Sequence, residues 1–197
     1  MIYNADDLGL TKKSTECIID LLIGNYINTA SLLTNMPYTK YAIKLIDSYN
    51  LKHRINLHFN ITQGKSLSGI NSLTDKNGFF HISNKYNLYK INFQDIIKEF
   101  YLQKSVFPEY KNIDCHNNVN YRYDKLHSFL KKHSSYVRIR QDFEELDVKT
   151  FMLFIKNNKN IYLHPSYKDD VEIDEFNPTN LQRYLEYLFI KNINRKR

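Results

Sequence analysis

Side chains that bind metal ions or transfer protons follow several short apolar segments of this sequence. They are Asp6, Asp7, His58, Asp114, His116, Arg138 and His164. Two imidazoles and a carboxylate are a familiar ligand set for a divalent cation, and they leave coordination positions open for water and substrate. A metal-bound water beside a carboxylate base and an imidazole acid has the parts needed to hydrolyse an amide or an ester.

For any single one of these residues a structural explanation is the simpler one. Adjacent acids often cap a helix, and a histidine on a strand is often a hydrogen-bonded core residue. Several such residues at equivalent positions favour one shared site. The other four histidines do not fit this pattern, because they fall in predicted loops or helices: His53, His81, His127 and His133.

The apolar periodicity predicts short strands that alternate with amphipathic helices. Strands are predicted over residues 1–4, 27–33, 55–62, 112–115, 136–140 and 160–163. Helices are predicted from Thr11 to Gly24, from Pro37, over 93–106, 123–132 and 148–157, and from Pro178 with Asn177 as its cap. Such alternation predicts a parallel sheet, either open and doubly wound or closed like a barrel. Because ligands of parallel α/β folds bind at the carboxyl ends of the strands, the residues above should meet there.

A polar stretch at residues 63–92 interrupts this alternation. It is long for a loop in a compact domain, and such loops often cover a substrate. Its aromatic residues are Phe79, Phe80, Tyr86 and Tyr89. These rings either stack on sugar rings or pack the loop onto the domain.

Composition narrows the class of protein. With 197 residues and 42% hydrophobic side chains, the chain is expected to form one domain. The net charge of +7 divides into +3 for residues 1–100 and +4 for the remainder, so no concentrated basic face for nucleic acid is predicted. Cys17 and Cys115 are too few for a disulfide framework, which favours a reducing compartment. Since no signal peptide or membrane-spanning run is found, a cytoplasmic protein without a membrane partner is expected.

Six segments, in chain order, resemble the motifs of one protein family. Residues 4–9 (NADDLG) resemble its opening NADDFG motif, and residues 56–64 (NLHFNITQG) resemble its GLHLNLTEG segment. Four further segments resemble its other motifs: 31–37 (SLLTNMP), 113–120 (IDCHNNVN), 137–138 (VR) and 163–167 (LHPSY). On these residues the chain is similar to the YdjC-like carbohydrate deacetylases.

The resemblance implies a fold, an activity and a cofactor. The fold is a distorted (β/α) barrel of parallel strands, TIM-barrel-like and incomplete in this short chain. The implied activity removes an acetyl group from an N-acetylated sugar that contains N-acetylglucosamine, such as a chitobiose derivative. One divalent metal ion, Mg²⁺ in preference to Zn²⁺, would be held by Asp7, His58 and His116.

The same resemblance implies the catalytic residues. Asp6 would be the general base, His164 the general acid that protonates the leaving amine, and Arg138 the residue that orients the base. An aspartate beside a ligated carboxylate and a dication should stay ionised near neutral pH. The candidate substrate-binding residues are Asn35, Asn118 and Asn120.

The chain also departs from the family pattern. Asn118 and Asn120 stand where the family motif matched by residues 113–120 has histidines. Asparagine cannot accept and release a proton near pH 7 as histidine does. Only about 25 residues separate Arg138 from His164, and no strand is predicted after the last helix. We therefore expect a single domain over residues 1–197, shortened after Arg138 and at its C-terminus, whose exposed sheet edge invites a homodimer. The alternative function is a catalytically impaired remnant or a sugar-binding protein of the same fold.

Overall fold

The computed structural model describes residues 2–81, 91–139, 143–145, 160–172 and 179–193. Its strands are β1 (Tyr3–Leu8), β2 (Thr29–Leu32), β3 (Ile55–Phe59), β4 (Ile113–Cys115), β5 (Phe143–Glu145) and β6 (Asn160–Leu163). They form one sheet in the order β4-β3-β2-β1-β6-β5, and all five pairings are parallel. Strand–helix alternation thus produces the parallel sheet that the sequence predicts.

The described helices pack between and around these strands. They are α1 (Lys12–Ile23), α2 (Thr39–Ser48), α3 (Phe93–Val106), α4 (Asp124–Leu130) and α5 (Asn180–Ile193). The predicted start of α1 is confirmed, because Thr11 is its N-cap and accepts a hydrogen bond from the Ser14 amide at 3.0 Å. Gly24 is its C-cap, as predicted.

The sheet is curled. Beyond β4, Val137 forms one parallel bridge with Ile113. In a flat sheet this segment would lie about five strand spacings, or roughly 24 Å, from β6. Instead the guanidinium carbon of Arg138 lies 4.8 Å from the ring centre of Tyr162 on β6. The two sides of the sheet therefore face each other across a concave surface, and the predicted incomplete barrel is confirmed.

The two faces of the sheet have opposite chemistry. Alternate strand residues such as Ala5, Leu57 and Ile113 join two hydrophobic clusters with the helices. The residues between them are polar and buried, among them Asn4, Ser31, Asn56, His58 and Asp114. Because successive strand residues point to opposite faces, the apolar core lies between sheet and helices, and the polar set lies on the concave side.

Some predicted elements differ from the structure. Of the predicted strand 136–140, the described residues 136–139 form only the Val137 bridge to Ile113, and residue 140 lies outside the described residues. After β4 the chain turns through Asn117 and Asn118, both with positive φ. Strand β5 was not predicted. The predicted helix 148–157, the Asn177–Pro178 helix start and the aromatic residues Tyr86 and Tyr89 lie outside the described residues.

The polar segment after β3 is partly structured. Two antiparallel bridges join Lys65 to Phe79 and Thr74 to Phe80. Phe80 is buried in the cluster beside α3, whereas Phe79 is exposed. Phe80 therefore packs this segment onto the domain. In the described part of the chain, no helix combines the length and apolar character needed to cross a membrane.

Candidate metal and catalytic site

Strand β1 brings two consecutive carboxylates, Asp6 and Asp7, to the concave side of the sheet. Neighbouring residues of a regular strand would point to opposite faces. Here Asp7 adopts a left-handed φ of 65°, and the register with β2 shifts between Ala5 and Leu8. This irregularity turns Asp7 toward the same side as Asp6, as expected of a β-bulge.

Asp7 meets His58 on β3 and His116 directly after β4, and β2 lies between these two adjacent strands and β1. Its Oδ1 lies 3.1 Å from Nδ1 of His116 and 3.5 Å from Nε2 of His58. The two imidazole nitrogens are 3.4 Å apart, and all three residues are buried. The structure therefore brings together the three residues predicted to bind metal.

Further contacts fix the far nitrogen of each imidazole. Nδ1 of His58 makes a short hydrogen bond to Oδ1 of Asp114, and Nε2 of His116 lies 2.8 Å from Oε1 of Gln63. Acceptors at these positions hold a proton on the far nitrogens, so a bound metal would meet the lone pairs of the near nitrogens. The near nitrogens of both imidazoles face Oδ1 of Asp7. One carboxylate oxygen and two imidazole nitrogens that converge in a buried site fit the ligand set of a divalent metal.

The electrostatics of the cluster agree with this interpretation. Burial opposes protonation of His58, but the carboxylates of Asp6 and Asp114 raise its pKa to about 10. Burial likewise opposes ionisation of Asp7, yet His116 and Arg183 hold its pKa well below the ordinary value. The site thus keeps Asp7 ionised and attracts positive charge, which is a proton on His58 when no metal is bound.

Arg138 holds Asp6 in a fixed plane. Its Nη1 and Nη2 donate to the two oxygens of Asp6 at 2.8 and 2.5 Å, and Nδ2 of Asn4 donates to Oδ1 at 2.7 Å. Burial would raise the pKa of Asp6, but Arg138 and then His58 lower it. This bidentate pair is the contact expected of a residue that orients a base.

His164 follows β6 on the same side of the sheet. Its ring lies edge-on to Tyr162, with 5.8 Å between ring centres, and its backbone amide donates a short hydrogen bond to Glu186 of α5. Burial lowers the pKa of His164 to about 4, although the negative charges of Asp7 and Asp6 oppose this shift. The imidazole is therefore neutral near pH 7.

The three candidate substrate-binding asparagines have different surroundings. Nδ2 of Asn35 donates to the carbonyls of Gln63 and Lys65, both at 3.0 Å. Nδ2 of Asn120 is buried and donates to the carbonyl of Arg138 at 2.8 Å. Asn118 is half-buried with a φ of 50°. Asn35 and Asn120 thus brace the backbone beside the site, and sugar binding by the three residues stays a prediction.

Sequence reasoning did not assign roles to several residues that complete the site. Asp114 had a usable signal, because it stands two positions before His116, where a strand points both side chains to one face. Gln63 and Arg183 had none, since they reach the site from a loop and from a distant helix. Cys115, between two site residues, points to the apolar face, and burial raises the pKa of its thiol.

The fold and site together define an α/β-barrel protein with a carboxylate–imidazole cluster at the carboxyl ends of its strands. The chain belongs to the YdjC-like protein family, whose model matches residues 1–120. This range contains Asp6, Asp7, His58 and His116. Arg138, His164 and Arg183 lie beyond it.

Curated relatives are carbohydrate deacetylases. One from Vibrio cholerae serotype O1 (strain M66-2) is 35% identical over 81 residues, which are 41% of this chain and 31% of that protein. One from Halalkalibacterium halodurans is 26% identical over 131 residues, which are 61% of this chain and 54% of that protein. One from Clostridium beijerinckii is 30% identical over 125 residues, which are 61% of this chain and 50% of that protein. The matches therefore span about half or less of the relatives' length.

A solved structure shares the fold over nearly the whole chain. It comes from Enterococcus faecalis V583 and is described as a candidate cellobiose-phosphate cleavage protein. It superposes with a TM-score of 0.78 at 20% identity, covering 99% of this chain and 91% of that one. This likeness shows the incomplete α/β barrel.

Proposed function

We propose that this chain is a metal-dependent hydrolase that removes the acetyl group from an N-acetylated sugar containing N-acetylglucosamine, such as a chitobiose derivative. The observation that carries the proposal is the convergence of Asp7, His58 and His116 on one point, with the far nitrogens of both imidazoles held from outside. The deacetylase relatives support the choice of reaction.

Asp7, His58 and His116 would hold one divalent ion, with Mg²⁺ preferred. When bound, it would lower the pKa of a water molecule and polarise the acetyl carbonyl. Asp6 would accept the proton that the attacking water loses. Arg138 would keep this carboxylate ionised and in one orientation, which fixes the direction of proton transfer.

His164 would deliver a proton to the leaving amine. Because its pKa is lowered to about 4, it starts neutral and must first take up a proton within the reaction. The proton that Asp6 removes from water is the available one. The balance is complete: water contributes hydroxide to the acetyl carbon, the carbon–nitrogen bond breaks, and the nitrogen gains the proton, giving a free amino sugar and acetic acid, which ionises to acetate.

The proposal is tested with chelator-stripped protein. Calorimetric titration with Mg²⁺ and Zn²⁺ should show about one ion per chain, and the triple variant Asp7→Ala/His58→Ala/His116→Ala should lose this binding. A matched control, Asp47→Ala/His53→Ala, removes an exposed carboxylate and imidazole and should bind as the unaltered protein does. Acetate release from a panel of N-acetylated sugars should require the metal.

Two outcomes would contradict the proposal. A folded chain that binds no metal would remove its basis. Metal binding without acetate release from any sugar would instead favour the non-catalytic alternative. In that case sugar should still bind with unchanged affinity to His58→Ala and His116→Ala.

A further inference from the structure

Helix α5 reaches the candidate site through two buried side chains. Nη2 of Arg183 lies 2.8 Å from Oδ2 of Asp7, and Glu186 accepts the short hydrogen bond from the backbone amide of His164. The Arg183 carbonyl also accepts from the Ser166 amide at 3.3 Å. Helix α5 thus contacts both a candidate metal ligand and the candidate acid, although Arg183 lies 176 positions after Asp7 in the chain.

The pairing of Arg183 with Asp7 gives the two oxygens of this carboxylate different partners. Arg183 is 3% exposed and Asp7 is 1% exposed, so the guanidinium has little water to stabilise it and depends on its partners. It occupies Oδ2, whereas Oδ1 faces Nε2 of His58 and Nδ1 of His116. The carboxylate therefore cannot rotate without breaking a buried ion pair.

Arg183 and Glu186 are three residues apart, so they lie on one face of the helix. Nε2 of Gln182 lies 3.4 Å from the other oxygen of Glu186. The contacts to Asp7 on β1 and to His164 after β6 therefore come from the same helix face. Docking of α5 fixes both at once.

We propose that Arg183 is a positioning residue that presents Asp7 to the metal through Oδ1 alone, and that Glu186 positions His164. This inference rests on the proposed function and adds to it the outer contacts that orient a ligand and the acid. Partners of this kind typically contribute about 10–100-fold in metal affinity or activity.

The test compares Arg183→Ala with the unaltered protein, using Mn²⁺ as the probe metal. The dissociation constant for Mn²⁺, measured by electron paramagnetic resonance of the free ion, should rise by about 10-fold or more. Arg183→Lys, which keeps the charge, should give an intermediate value. Guanidinium chloride at low millimolar concentration should restore part of the affinity of Arg183→Ala, because it refills the vacated position.

Two further variants separate positioning from general stability. Arg54→Ala removes an arginine that donates to backbone carbonyls of Leu22 and Asn28, and it should lower the unfolding temperature without changing Mn²⁺ affinity. Glu186→Gln should leave Mn²⁺ affinity unchanged while lowering kcat at constant KM. If Arg183→Ala does not fold, Arg183→Lys provides the comparison.

The inference is overturned if Arg183→Ala or Arg183→Lys binds Mn²⁺ as tightly as the unaltered protein. It is equally overturned if guanidinium restores nothing and Arg183→Ala only loses stability, as Arg54→Ala does. Both results leave the proposed function intact. An unaltered protein that binds no Mn²⁺ would overturn the proposed function and this inference together.

Discussion

The two parts of the candidate site are built differently. In residues 1–120, Asp7, His58 and His116 come from strands that lie close together in the sheet, and their nitrogen and oxygen atoms lie within 3.5 Å of one another. Beyond residue 120, Arg138 and Arg183 each reach a different aspartate of β1 from a separate element. The first part is thus a compact cluster of candidate metal ligands, and the second supplies counter-charges and orientation. Metal binding and turnover should therefore respond separately to mutation.

The largest effect is expected for Asp7→Asn, which removes the charged ligand of the first part. Loss of a ligand should exceed the roughly 10–100-fold cost of losing an outer partner. The buried Arg183 would also lose its counter-charge. Calorimetric titration with Mg²⁺ and Mn²⁺ measures the change, with Asp47→Asn as the exposed control. Unchanged affinity would show that these three residues do not form the metal site.

Arg138→Met should have the next largest effect, and on a different quantity. It leaves the buried carboxylate of Asp6 without its main counter-charge and removes the 3.7 Å ion pair to Asp114, which should lower the free energy of unfolding by about 3–5 kcal/mol. Urea denaturation measures this loss, and acetate release should fall with it. Arg138→Lys should recover stability better than turnover, since lysine cannot form the bidentate pair. Full turnover in Arg138→Met would refute its role beside Asp6.

Gln63→Ala tests the outer contact of His116 within the first part of the site. It removes the acceptor that holds the proton on Nε2 of His116, so the affinity for metal should fall by about 10–100-fold, less than in Asp7→Asn. Gln94→Ala, on the exposed side of α3, is the matched control. Equal metal affinity for both variants would mean that Gln63 does not orient His116.

The smallest effect is expected for the two asparagines beside the site. Asn120→Ala leaves the buried carbonyl of Arg138 without this donor, which should lower the free energy of unfolding by about 1–3 kcal/mol. Asn118→Ala should lower it by about 1 kcal/mol, because alanine tolerates the positive φ of this position less well than asparagine does. KM for the acetylated sugar distinguishes bracing from binding. A raised KM in Asn120→Ala at unchanged stability would show that Asn120 binds substrate.

Local signals predicted most of the secondary structure. The capping pattern at Thr11 and the apolar periodicity of residues 93–106 were sufficient for α1 and α3. Strand β5 is three residues long and has no periodicity to detect. The bulge at Asp7 could not be predicted either, because the sequence does not distinguish an aspartate with a positive φ from any other aspartate.

The side chains at the strand ends and the parallel direction of the strands could be predicted from the sequence. These properties follow from residue order and from the alternation of apolar and polar positions, which are local. Three other features depend on tertiary packing: Asp6 and Asp7 share one face, Gln63 and Asp114 hold the far imidazole nitrogens, and Arg138 and Arg183 neutralise two aspartates of β1. These contacts depend on the curl of the sheet and on helix docking, which join residues up to 176 positions apart and leave no pattern between neighbours in the chain.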